Sequence, residues 1–315
     1  MERKRIIDLN PVEYEHPYDK NALDRLENTR GLELVTRKVL DYGLERYHRI
    51  LHTGDNIRVT PDNIPELHKL MEEACEILEM EERPELYLHL EDKITSISSG
   101  EKKLLIVLST GAIELLTDDE LLFLIGRELG HIKSNHVLYR MMADSLQVVS
   151  QVIGEISFGI GNLVSMPLRV ALLHWYRMSE FTADRAGLLA CQDMDVAANA
   201  FVKIAGLPHK YHGRVTVEDF RNQAEEFEEV GEKSIDKLIN FIAVHDQSQP
   251  FTVIRGSQLF QWEESGKYEA ILARDSFRDL VQRNREEMKC HQCGFEITSE
   301  ENYCRMCGTK LKEEA

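Results

Sequence analysis

The sequence predicts an α+β fold, mostly helical, with a small sheet in its first half and a metal-binding appendage at its C-terminal end. Three observations carry this prediction. "ELYLHL" (85–90) alternates like a strand, and "LLIVLST" (104–110) is a short apolar run of the kind a buried strand needs. Most of the remaining chain repeats apolar residues at helical spacing. Four of the six cysteines fall within 290–307 as two C-x-x-C pairs.

Bulk composition narrows the function classes. With 43% hydrophobic and 30% charged residues in a 315-residue chain, one large or two ordinary soluble domains are expected. The formal net charge of -17 repels phosphate backbones, which argues against nucleic acid as the main partner. Cys75 and Cys191 lie far from each other and from the cluster. This pattern suggests metal binding in a reducing compartment, hence a cytoplasmic protein, and not a disulfide framework. "MERKRIIDLN" has basic residues with no apolar run behind them, so no signal peptide is expected.

Taken in order, residues 1–20 read as an extended arm or short helix. The spacing of Leu32, Val35, Val39, Leu40, Leu44 and Tyr47 predicts an amphipathic helix over about 20–50. Asn63 and Pro65 are start signals for a helix with the stripe Leu67, Leu70, Met71, Cys75, Leu78. The strand stretches follow. "TDDELLFLIGRELGHIKSNH" then opens with Thr117 as N-cap and Asp118, Asp119 and Glu120 at the positive helix end. The rest, to about 285, reads as nearly all helix, with turns at 207–214 and 246–250. The longest uncharged run within 146–175, Ile156–Leu168, has about 13 residues, short of the ~20 a spanning helix needs. A buried helical hairpin is expected there, with contact to a membrane surface as the alternative.

The long helix carries the chemistry. Positions 127 and 131 are one turn apart, so Arg127 and His131 share a face with Glu128 beside it. Metallopeptidases place two His ligands at that spacing, with a Glu as general base. R-E-x-x-H alone is a weak signal. Its context is specific, because "SEFTADRAG" (179–187) follows about 50 residues later. Together the two segments resemble the HtpX-like zinc metallopeptidases, family forty-eight of the metallopeptidases. "RVTPDNIPELHKLMEEACEIL", "IVLSTGAIELLTDDELLFLIG" and "QPFTVIR" extend the resemblance over roughly 10–285. It implies a gluzincin-type core, with residues 1–60 as an N-terminal helical arm, 61–286 as the metallopeptidase domain and 287–315 as an appended ribbon. It also implies that His131 and Glu180 are metal ligands, that Glu128 is the catalytic base, that Asp184 orients a ligand, and that Arg255 belongs to the late active-site segment.

The chain departs from that family at three functional places. Arg127 stands where a zinc-ligating His belongs. Gln249 replaces the His of the family's H-P segment. "ITSISSG" (94–100) replaces an N-A-F-like strand lining the cleft. A guanidinium stays protonated and has no lone pair for a metal. At about 4 Å from a dication, with an effective dielectric near 20, it costs on the order of 8 kcal/mol. Zinc would otherwise lower the pKa of its water from about 15.7 to about 7, roughly 12 kcal/mol of activation that Glu128 alone cannot supply. The sequence therefore predicts that Arg127 takes over the missing cation's role by pairing with Glu180; the alternative is a guanidinium turned out to solvent. Reverting Arg127 to His is expected to restore zinc. His136, five residues past His131, is expected near the site's periphery or at the surface, and His174 and Trp175 in packing.

Cys290, Cys293, Cys304 and Cys307 have the spacing C-x2-C, ten residues, C-x2-C, each pair followed by Gly294 or Gly308. Four thiolates form a closed tetrahedral site of structural type. The segment resembles the zinc-ribbon family, with iron as the rival metal. The resulting expectation is a pseudopeptidase that binds a peptide or protein partner and holds zinc in its ribbon. The alternative is an active zinc endopeptidase with a substitute ligand. Oligomeric state is not legible.

Overall fold

The computed structural model describes residues 3–146, 161–230, 251–274 and a few positions between 289 and 310. Its sheet has four strands, β1 (Ile57–Val59), β2 (Glu85–His89), β3 (Ser96–Ser99) and β4 (Leu105–Ser109), in the order β1-β2-β4-β3. β2 and β4 run parallel; β1 and β3 are antiparallel to their neighbours. All five residues of β4 are buried, which suits a continuous apolar run to an interior strand. The alternation read in 85–90 fails at its end: the chain leaves the sheet after His89, and Leu90 is 82% exposed. β3, formed by the serine-rich "SISS", lies at one end of the sheet order.

The single helix expected over 20–50 is three: α1 (Pro17–Glu27), α2 (Leu32–Asp41) and α3 (Leu44–Gly54). Gly31 and Gly43 separate them, each at φ 88. That left-handed conformation suits glycine and interrupts an otherwise continuous periodicity. Leu32, Val35, Val39 and Leu44 are buried as expected, but the break turns Tyr47 outward, 52% exposed. α1 packs along a later long helix, and Tyr14 and Leu26 join the same hydrophobic core as the rest of the chain. α4 (Pro65–Ile77) starts with Pro65 in its first turn, but the N-cap is Ile64. Asn63 instead accepts from the Thr60 amide and shapes the preceding turn.

After the short α5 (Thr110–Leu115), α6 (Asp118–Lys133) opens as expected. The Thr117 hydroxyl accepts from the Glu120 amide while the Glu120 carboxylate accepts from the Thr117 amide, a reciprocal cap. α7 (Val137–Asp144), α8 (Gly161–Cys191), α9 (Met194–Ile204), α10 (Val217–Val230), α11 (Thr252–Glu264) and α12 (Lys267–Ala273) follow. α6 and α8 approach closely through small residues. A Cβ at Gly126 would fall 2.3 Å from the Ala190 Cβ, and one at Gly130 would fall 2.4 Å from the Ala186 Cβ. Their absence lets the side chains of one helix reach those of the other. Among the described residues, no helix is long and apolar enough to cross a membrane. The expected hairpin at 146–175 lies partly outside the described residues, and the turn at 246–250 with Gln249 lies wholly outside them.

Candidate active site

α6 contributes Arg127, Glu128 and His131; α8 contributes Glu180 and Asp184; α11 contributes Arg255. All six side chains are buried in one cluster. Arg127 is turned inward. Its Nη2 donates to Glu180 Oε2 at 2.5 Å and its Nε to Asp184 Oδ1 at 2.6 Å. The expected pairing with Glu180 is present, and a second one with Asp184, which the sequence did not suggest, accompanies it. Gly187 makes room for the arginine stem, since a Cβ there would lie 2.7 Å from the Arg127 Cγ.

Arg255 clasps the other face of Asp184. Its Nε donates to Oδ2 at 2.9 Å and its Nη2 to Oδ1 at 2.6 Å, a bidentate contact of the kind that fixes geometry as well as charge. Asp184 is therefore held between two guanidinium groups. Glu128 accepts from the Ser96 hydroxyl at 2.7 Å, which ties α6 to the end strand β3. Its second oxygen, Oε2, is buried with no hydrogen-bond partner.

Two residues of the site, Arg140 and Asp19, escaped the sequence reading. Arg140, on α7, donates from Nη1 to Glu180 Oε1 at 2.5 Å, and its guanidinium lies 4.4 Å above the Tyr176 ring. Burial would raise the Glu180 carboxyl. Arg140 and then Arg127 overcome that and hold it well below the ordinary carboxylate range. His136 is buried, its Nδ1 at 3.1 Å from the Nδ1 of His131. Its Nε2 lies 3.2 Å from Asp19 Oδ2, and the Thr182 hydroxyl donates to the same oxygen at 2.5 Å. His136 takes the first of its two expected places, at the periphery of the site, and Ser96 belongs to the 94–100 stretch expected at the cleft. Asp19 had no signal, being brought in from a distant part of the chain.

Burial, and next the Arg140 guanidinium, push His131 well below its ordinary pKa, so its imidazole is neutral. Its Nδ1 meets His136, and its Nε2 lies 3.5 Å from Glu180 Oε1, so both ring nitrogens face polar neighbours inside the cluster.

A catalytic zinc needs three protein ligands around an open position. His131 and Glu180 supply suitable atoms, but the guanidinium at 127 has no lone pair to give, and it sits on the carboxylate that would be the third ligand. Among the described residues, no group of three or more His, Cys, Asp or Glu side chains is arranged to hold a metal. In the C-terminal segment, Cys293 and Cys307 are described and exposed, while Cys290 and Cys304 lie outside the described residues.

A profile of Peptidase family M48 matches residues 61–263. The plastoglobule-localized metallopeptidase 48, chloroplastic, of Arabidopsis thaliana is 30% identical over 279 residues, covering 88% of this chain and 79% of that protein. A protease HtpX homolog of Helicobacter pylori (strain Shi470) is 24% identical over 200 residues, 55% of this chain and 64% of the homolog. A protease HtpX homolog of Moorella thermoacetica is 26% identical over 193 residues, 54% of this chain and 62% of the homolog. The chain thus spans under two thirds of these HtpX homologs. No solved structure matches. Metallopeptidases of this kind use zinc in general. The α6–α8 pair with its R-E-x-x-H and E-x-x-x-D segments, together with these matches, establishes that the chain is an HtpX-like member of peptidase family M48.

Proposed function

We propose that this family member is a pseudopeptidase that keeps the cleft as a surface for binding a peptide or a protein. One observation carries the reading: the Arg127 guanidinium pairs with Glu180 and Asp184 at the position where the family's resemblance places a zinc-ligating His. A cation that cannot be deprotonated and cannot ligate takes the place of one that would activate water. Strand β3, at the end of the sheet order beside Glu128, offers backbone groups to an extended peptide. The C-terminal ribbon holds a structural zinc through Cys290, Cys293, Cys304 and Cys307, and the protein works in the cytoplasm.

The competing reading is an active zinc endopeptidase that binds metal through His131, Glu180 and a substitute ligand. The placement of His131 Nε2 3.5 Å from Glu180 Oε1 favours it. Metal analysis of the purified full chain separates the two. The pseudopeptidase holds about one zinc per chain, in the ribbon, and the endopeptidase about two. Chelator-sensitive cleavage of an unfolded protein, abolished by Glu128→Gln, would overturn the pseudopeptidase reading.

A further inference from the structure

We infer that the front metal site is closed by two arginines and that Arg140, not only Arg127, must be removed before a divalent ion can enter. The inference rests on the pseudopeptidase reading and revises the expectation that Arg127→His alone restores zinc. Glu180 has two oxygens, and each carries a guanidinium: Arg127 on Oε2 and Arg140 on Oε1, both at 2.5 Å. The oxygen held by Arg140 is also the one facing His131 Nε2 at 3.5 Å. Those two atoms are the ones the site would offer a metal, and Arg140 already donates to one of them.

Charge points the same way. Each oxygen of Glu180 is already met by a permanent cation. Substituting Arg127 by a neutral residue leaves the Arg140 guanidinium on Oε1, where it repels a dication. Substituting Arg127 and Arg140 together removes both cations that contact the carboxylate. Arg255 is not part of the lock. It is committed to Asp184 through two hydrogen bonds and stands 3.9 Å from Glu180.

Arg140 is held in this position by more than Glu180. It is buried, packs over the Tyr176 ring, and extends from a helix that contacts α8. Replacing Arg127 removes neither restraint, so Arg140 stays on Glu180 in that variant. The Asp19–His136–His131 chain is untouched by either substitution.

The test is zinc content of the full-length protein after equilibration with micromolar zinc and removal of excess, measured by elemental analysis. Circular dichroism confirms folding of each variant. The variants are Arg127→His, then Arg127→His combined with Arg140→Met, Arg140→Gln or Arg140→Lys. Arg127→His alone is expected to hold the same zinc as the unmodified chain, and so is the double variant with Lys, which keeps the charge. The Met and Gln doubles are expected to gain about one further zinc per chain. Gln keeps an amide donor for Glu180 and serves if the Met double does not fold. Cobalt(II) substitution gives a second readout, since a site of nitrogen and oxygen ligands lacks the intense thiolate charge-transfer bands of the ribbon. A full equivalent gained by Arg127→His alone overturns the two-arginine lock and leaves the pseudopeptidase reading standing. A gain in the Lys double, or no gain in any folded neutral double, also overturns it. Front-site zinc with cleavage in the unmodified chain would instead defeat the reading beneath it.

Discussion

Replacing Arg127 by Met should destabilise the fold in a way that measures the buried ion cluster directly. The side chain makes contacts at 2.5 Å to Glu180 and 2.6 Å to Asp184 and is almost fully buried. Removing one member of a buried pair commonly costs ~3–5 kcal/mol, because a charge is left without its partner. Here each carboxylate keeps a second guanidinium, Arg140 for Glu180 and Arg255 for Asp184. That places the expected cost at the lower end, about 3 kcal/mol. At ~2.1 cal/mol/K per residue, the 315-residue chain unfolds with an entropy near 0.66 kcal/mol/K, so the Tm should fall by about 4–5 °C. Glu180→Gln strips the partner shared by Arg127 and Arg140 and should cost more. The exposed helical pair Arg37–Glu33, at 2.8 Å, is the control: Arg37→Ala should move Tm by under ~1 °C, as surface pairs of this spacing do. Thermal unfolding followed by circular dichroism reads all three. If Arg127→Met shifts Tm no further than Arg37→Ala, the guanidinium is not serving as the counterion of a desiccated site, and the account of the cluster fails.

Other expectations follow from packing, protonation and metal binding. Gly130→Ala places a Cβ 2.4 Å from the Ala186 Cβ and should cost ~1–3 kcal/mol through overpacking; an unchanged melting curve would mean the α6–α8 contact is looser than described. Stability should fall as pH drops from about 7 to 5. His16 is depressed to about 3 by burial and Arg185, and His48 to about 4 by burial and His52. Below ~6.5 the unfolded chain takes up protons that the native state refuses, costing about 2 kcal/mol per histidine at pH 5. Urea midpoints that do not move over this range, or a fall not lessened by His16→Gln and His48→Gln, would contradict it. Glu180 acts further down the scale. Its depressed pKa contributes stability above the ordinary carboxylate range, and that stability is lost as pH falls through the depressed value. Cys304→Ser should remove about one zinc per chain and leave the main fold's melting intact, as expected of a closed four-thiolate site. Retained zinc would argue against the ribbon, and a red, iron-containing protein would change the metal.

Part of this protein could be read from its residues. Alternation and apolar runs marked β2 and β4, because a strand buried on both faces has to be apolar throughout. Thr117 and Glu120 marked the start of α6 because both halves of its cap lie within one turn. Gly31 and Gly43 were the harder signals: the apolar spacing runs straight through them, and only the backbone conformation shows that it breaks.

The amino-acid order by itself determined the family resemblance, the arginine at 127 and the acidic residues four apart at 180 and 184, since these depend on side-chain type and spacing along one helix. It also determined that a permanent cation stood where a metal ligand belongs. Only the tertiary structure decided that this cation takes Asp184 as well as the expected Glu180. Arg140, Asp19, His136 and Ser96 reach the cluster from α7, α1, the N-cap of α7 and β3. Their arrival depends on how closely helices with glycine and alanine at their contact can pack. Spacing along a chain reports which residues share a face; it does not report which face comes to lie opposite. The second arginine on Glu180 belongs to that second kind of fact.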